Sequence, residues 1–227
     1  MRHRSPRGSR RRVGRSRHLV RGAGRGALRV VRVLLVVVLT ALLVRGFVVT
    51  PFSIPSGSMR ETLHVGDRIL VDRLSYRFGP VERGDVVVFD GTDTFGAVPG
   101  ARERGVRDWL VRTLTFGFTG AEETDYVKRV IGIGGDRVSC CDDNGRLTVD
   151  GVPLDEPYLF PGDDPSELRF DIEVPDGRLW VMGDHRSDSR DSRAHLGSPG
   201  GGTVPERDVV GRVIGIVWPS GRLGGLP

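Results

Sequence analysis

The run Val33-Leu34-Leu35-Val36-Val37-Val38-Leu39-Thr40-Ala41-Leu42-Leu43-Val44 carries no charge, and threonine is its one polar residue. Extended to Val30 and Val49, it reaches the ~20 residues that a bilayer crossing requires. Arg32 and Arg45 fall inside that span near its ends, where long arginines snorkel to headgroups. Twelve arginines and no acid occupy residues 1–32. The positive-inside rule therefore predicts a cytoplasmic N-terminus, with everything after Arg45 on the outer face of the membrane. A cleaved signal peptide would end in a small-x-small site; here Val44-Arg45-Gly46-Phe47-Val48-Val49 follows. A buried core helix is the other alternative, and the even apolarity behind so many arginines argues against it. The expected organisation is an Arg-rich cytoplasmic tail over 1–29, a single-pass transmembrane anchor over 30–49, and an extracytoplasmic domain over 50–227.

The formal charge of +5 hides an asymmetry. Subtracting the twelve arginines of residues 1–32 from +5 leaves −7 for the remainder. The tail is rich in Gly, Ser and Arg and is expected to be disordered. Such an arm can bind nucleic acid or anionic lipid. The anchor behind it selects the bilayer and its anionic headgroups, so no nucleic-acid partner is expected.

The outer domain has many glycines and prolines, a mix that suits short strands and turns. Strands are expected at 67–72, 84–90, 126–133, 178–182 and 209–217. Arg137-Val138-Ser139 and Arg146-Leu147-Thr148-Val149 flank the hairpin signal Asp143-Asn144-Gly145, and Asp150-Gly151 marks another turn. Residues 91–124 form a long excursion. No long amphipathic helical period appears outside the anchor. The fold class is mainly β, an antiparallel sheet domain preceded by one helix. Cys140 and Cys141 are adjacent, and a bridge between neighbours falls below the usual ~4.4–6.8 Å Cα range. No role is expected for them.

Among 34 Lys and Arg residues, Lys128 is the one lysine. Arginine is never deprotonated in a protein, whereas a buried lysine can lose its proton and act as a base. Lys128 lies in the apolar run Tyr126-Val127-Lys128-Arg129-Val130-Ile131-Gly132, where desolvation lowers its pKa. Two other segments can converge on it. Ile54-Pro55-Ser56-Gly57-Ser58-Met59 exposes two hydroxyls at a glycine turn. Gly183-Asp184-His185-Arg186-Ser187-Asp188-Ser189-Arg190-Asp191-Ser192-Arg193 is a polar turn after a strand. A serine hydroxyl becomes a competent nucleophile when a neighbouring base takes its proton. A lysine serves as that base if its pKa falls from ~10.4 to about 8.

These segments, in this order behind an anchor, together with Arg83-Gly84-Asp85-Val86-Val87-Val88-Phe89, resemble the bacterial type I signal peptidases, which use a Ser–Lys dyad. The resemblance covers nearly the whole chain. It implies a membrane-bound serine endopeptidase that removes signal peptides from exported preproteins, cutting after small residues and needing no metal or organic cofactor. It implies Ser58 as nucleophile and Lys128 as general base. The Ser58 N–H and the Ser56 hydroxyl would form the oxyanion hole. Ser189 would orient the Lys128 amine by a hydrogen bond. Asp191 and Arg193, with Gly183 and Asp184, would support the turn. Phe52, Ile54, Met59, Leu63, Ile69, Tyr126 and Val127 would line the pockets for small side chains. A small inserted lobe is implied at about residues 140–177, and the substrate would add as a strand beside residues 51–56 and 126–128.

Three positions depart from the family pattern. Glu61 stands where proline is usual, His185 stands where asparagine is common, and Ala194-His195-Leu196 replaces an aromatic after the last arginine. His185 is read as structural, and His64 and His195 as surface residues. A Ser-His-Asp reading built on His185 requires a geometry that neighbours on one turn rarely reach. A metal at Asp184, His185, Asp188 and Asp191 has no second ligand cluster to complete it. Gly132-Ile133-Gly134-Gly135 lacks the third glycine and the helix of a nucleotide loop. A peptide-binding domain without catalysis and a self-cleaving regulator are the competing functions. The latter would need a DNA-binding domain where the anchor stands.

Overall fold

The computed structural model describes residues 19–96 and 124–226, without the side chains of 19–25, 27 and 42–47. The first eighteen residues of the Arg-rich tail and residues 97–123 of the expected excursion lie outside the described residues. The chain divides into two units, residues 1–43 and 44–227.

Helix α1 spans Leu19–Phe47 and includes most of the expected anchor. Its apolar side chains from Leu28 to Leu39 are all more than half exposed. Among the described residues no helix is long and apolar enough to cross a membrane.

The second unit is mainly antiparallel β. Seven strands form one sheet: β1 (Val49–Ser53), β2 (Arg68–Asp72), β3 (Val86–Asp90), β4 (Asp125–Gly132), β9 (Arg178–Met182), β10 (Val204–Pro205) and β11 (Val209–Trp218). Their order is β1-β2-β11-β3-β4-β9-β10. Between β4 and β9 the chain makes a second sheet from β5 (Arg137–Cys140), β6 (Leu147–Val149), β7 (Val152–Pro153) and β8 (Phe170–Glu173), in the order β7-β6-β5-β8. A short helix, α2 (Ser75–Phe78), follows β2.

Strand pleating explains the cores. In β3, Val86 and Val88 pack with Phe52, Ile54, Met59, Leu63, Ile69, Val71, Val213 and Ile216. Val87 and Phe89, on the opposite face, join Val130, Leu179, Val181 and Val204. In β9, Leu179 and Val181 share that second cluster, while Trp180 and Met182 face Val138, Leu147, Val149 and Phe170 of the smaller sheet. Successive side chains point to opposite faces, so strands covered on both faces read as continuous apolar runs. The Asp150-Gly151 turn joins β6 to β7, with φ of 53° and 79°. Two positive φ angles are what a two-residue hairpin of this twist needs.

Two expectations need correction. Cys140 and Cys141 are joined in a disulfide across a cis peptide, with Cα atoms 3.0 Å apart; the reading from sequence assumed a trans bond. His195 is 8% exposed, with its ring stacked 4.4 Å from that of Phe95. The aromatic partner lies a hundred residues away, out of reach of local sequence reasoning. Its burial lowers the imidazole pKa, and Arg190 lowers it further.

Candidate active site

Lys128 sits on β4, whose neighbours are β3 and β9. The flanking valines and tyrosine favour this strand. Burial leaves the lysine 3% exposed. Its Nζ lies 2.7 Å from Ser58 Oγ and 3.2 Å from the Val127 carbonyl oxygen. Desolvation depresses the ammonium to a pKa of about 8. Asp191, Asp184 and Asp188 oppose that fall through their charge, and Arg193 reinforces it.

Ser58 is 8% exposed, at the start of the loop between β1 and β2. The Ser56 hydroxyl is 3.5 Å from that of Ser58. Two contacts fix the loop's main chain. Arg60 N–H donates to the Gly57 carbonyl at 2.9 Å, and His185 N–H donates to the Ser58 carbonyl at 3.1 Å. Beyond Arg60 the backbone of Glu61 takes φ 90°. Proline cannot adopt that angle, so the departure from the family pattern at this position goes with a different turn.

The turn after β9 closes the site from the other side. Asp191 accepts from Gly183 N–H at 3.0 Å and from Arg193 Nε and Nη2, each at 2.8 Å. Burial would raise the Asp191 carboxyl, but the Arg193 guanidinium and the Gly183 amide hold it below its usual range. Asp184 is fully buried and receives Arg129 Nε at 2.8 Å and Nη2 at 2.7 Å. Thr62 donates its hydroxyl to Asp184 at 2.5 Å. This fork of Arg129 on β4 ties the loop that carries Ser58 and Thr62 to the turn. Among the described residues no group of His, Cys, Asp and Glu is arranged to hold a metal ion.

A close serine–lysine pair on an antiparallel sheet can be compared with known proteins. The family described as signal peptidase, peptidase S26, matches residues 27–218. Signal peptidase I of Mycobacterium tuberculosis is 45% identical over 227 residues, which cover 90% of this chain and 77% of that protein. A probable signal peptidase I of Mycobacterium leprae is 43% identical over 209 residues, covering 79% and 72%. Signal peptidase I S of Bacillus subtilis is 32% identical over 175 residues, covering 73% and 78%. The chain belongs to the signal peptidase family, peptidase S26.

It is a type I signal peptidase by that likeness. Phe52, Ile54, Met59, Leu63 and Ile69 form one buried cluster, with Val127 packed against it. Tyr126 is not part of that cluster. It stacks on Phe89 with centroids 5.8 Å apart and meets Phe95 edge-on at 5.1 Å. Adjacent residues of a strand face opposite ways, so the Val127 and Tyr126 side chains lie on different faces of β4. Ser189 also departs from expectation. Its buried Oγ makes no hydrogen bond to the Lys128 amine among the described residues, and instead helps hold the Asp191 carboxyl low. It packs against Gly183, where an added Cβ would lie 2.3 Å from Ser189 Oγ and 2.4 Å from the Ser58 carbonyl oxygen.

Several contributors to the signal peptidase site escaped the sequence reading. The His185 amide fixes Ser58, while its ring stacks 4.0 Å from that of Phe160. Arg222 donates from Nη2 to the Thr62 carbonyl at 3.1 Å and pairs with Asp67, bracing the loop from 155 residues away. Arg129 follows Lys128 directly in the same run, a signal that could have been used.

Proposed function

We propose that this chain removes N-terminal signal peptides from exported preproteins, with Ser58 as nucleophile and neutral Lys128 as general base. The observation that carries this reading is the 2.7 Å contact between the Lys128 amine and the Ser58 hydroxyl. The depressed pKa of about 8 supports it, because an appreciable fraction of the amine is then unprotonated near neutrality.

Lys128 Nζ accepts the Ser58 hydroxyl proton as Oγ attacks the scissile carbonyl carbon. The resulting oxyanion takes hydrogen bonds from the Ser58 N–H and the Ser56 hydroxyl, each donor contributing ~3–4 kcal/mol. The Lys128 ammonium then protonates the leaving nitrogen as the C–N bond breaks. An acyl-enzyme ester and a mature protein with a free amino terminus result. Lys128 next deprotonates a water molecule that attacks the ester carbonyl, and the proton returns to Ser58 Oγ as the signal peptide leaves with a carboxylate. The buried cluster of Phe52, Ile54, Met59, Leu63 and Ile69 beneath the loop favours small side chains before the cut. The substrate lies extended beside residues 51–56 and 126–128.

The same reading places helix α1 in the cytoplasmic membrane, its Arg-rich tail against anionic headgroups on the inner side and the β domain on the outer face. Detergent-solubilised protein incubated with a preprotein, followed by N-terminal sequencing of the product, tests the reaction. Wild type is expected to cut after a small residue. Lys128→Arg is expected to fail, because it keeps the charge but cannot accept a proton. A preprotein bound but left intact by wild type would make the domain a binder.

A further inference from the structure

Arg186 lies in the 3₁₀ turn Arg186–Asp188, with its side chain only 1% exposed. Its guanidinium donates in three directions: Nε to the Gly183 carbonyl at 2.8 Å, Nη1 to the Pro165 carbonyl at 2.6 Å, and Nη2 to Glu156 Oε1. Glu156 and Pro165 belong to the connection between β7 and β8, inside the smaller sheet's segment. The Glu156 side chain is 5% exposed.

The same connection grips the catalytic turn repeatedly. Phe160 N–H donates to the Asp184 carbonyl at 3.0 Å. Asp163 accepts from the Ser187 N–H at 3.1 Å and from its hydroxyl at 2.8 Å. The Tyr158 ring lies 3.9 Å from Arg129 Cζ, the guanidinium that holds Asp184. On its far side the turn touches the nucleophile, through the His185 N–H on the Ser58 carbonyl and the close approach of Gly183 to that same oxygen.

We infer that Glu156, acting through Arg186, is a positioning residue for the cleavage reaction: the connection over residues 156–165 sets where the Ser58 main chain stands relative to Lys128. This rests on the reading of Ser58 as nucleophile. An arginine is needed at 186 because its planar fork reaches three separate acceptors, which a lysine point charge cannot do. A buried Glu–Arg pair at this place adds little stability over apolar residues of similar size. What it adds is a fixed distance between two segments 30 residues apart in sequence. A displacement of about 1 Å at a nucleophile is enough to lower turnover ~100-fold.

The test uses the full chain in detergent micelles with a preprotein substrate, well below the melting temperature of every variant. Glu156→Gln, Arg186→Lys and the double variant are compared with wild type for kcat, KM, melting temperature and the pH dependence of kcat/KM. Each single change is expected to lower kcat at least about tenfold. KM should stay within about twofold, since ground-state binding is untouched. The pH midpoint should not move, and the double variant should fall no further than the weaker single variant. Wild-type kcat in Glu156→Gln, whatever its melting temperature, would overturn the inference, as would multiplicative losses in the double variant. If Glu156→Gln does not fold, Asp163→Asn, which keeps the buried pair and weakens the carboxylate's hold on the main chain of Arg186 and on Ser187, should lower kcat by about threefold. Unchanged turnover there would equally overturn it. Failure of wild type to cleave, or cleavage by Lys128→Arg, would instead sink the peptidase reading.

Discussion

The protonation of a lysine that is 3% exposed among three aspartates reflects a contest between desolvation and charge, and at Lys128 desolvation wins. The consequence reaches stability as well as rate. The folded-state pKa of about 8 lies below the value of 10.5 that an unperturbed lysine shows. Between those two pH values the unfolded chain binds the proton that the folded chain has lost, so wild-type stability rises with pH across that window. Below it, folding carries the penalty of a buried cation. Lys128→Met is therefore expected to be inactive yet more stable than wild type by roughly 2 kcal/mol at pH 7. Denaturant unfolding from pH 7 to 10.5 should show that advantage shrinking as wild type catches up. At Gly183 the constraint is space. A methyl there would sit 2.3 Å from Ser189 Oγ and 2.4 Å from the Ser58 carbonyl oxygen, so the turn and the Ser58 main chain must separate. Gly183→Ala is expected to lower kcat about 100-fold in a preprotein cleavage assay, with a loss of about 1–3 kcal/mol in a thermal melt.

Five of the seven strands of the larger sheet, β2, β3, β4, β9 and β11, were visible in the sequence because β-branched runs such as Val86-Val87-Val88 have few other uses; β1 and the two-residue β10 were not. The smaller sheet was marked by its turns, Asp143-Asn144-Gly145 and Asp150-Gly151. Strand β8 was not, since Phe170–Glu173 is a four-residue edge strand inside an acidic, proline-rich stretch. The Ser58–Lys128 pair was legible because one residue type is unique in the chain and the other sits on a glycine turn. Ties between elements were not. The Arg129–Asp184 fork joins β4 to the turn after β9 across 55 residues, and no local pattern announces it. Both side chains are almost wholly buried. Asp184→Asn leaves the guanidinium without a counter-charge, and a loss of about 3 kcal/mol or more is expected in urea denaturation. Tyr126 and Val127 adjoin in sequence, yet strand alternation sends their side chains to opposite faces of β4.

At the scale of the whole chain, charge separates the parts. The first 32 residues hold twelve arginines and no acid, and the rest is net acidic; on the proposed reading the basic end sits at an anionic membrane surface. Removal of residues 2–25 is expected to leave cleavage by the detergent-solubilised enzyme roughly unchanged, while protease protection in intact membranes reports a fraction of molecules inserted the wrong way round. Loss of cleavage in detergent would give the tail a role in the reaction itself. The most direct measurement exploits the lone lysine. Protein grown with ¹³C-labelled lysine carries a single labelled side chain, so its Cε shift can be followed by NMR from pH 6 to 11 without assignment. A midpoint near 8, coinciding with the rise of kcat/KM, is the expected result. A midpoint at the unperturbed lysine value, with activity already full below it, would contradict a neutral Lys128 acting as the base for Ser58.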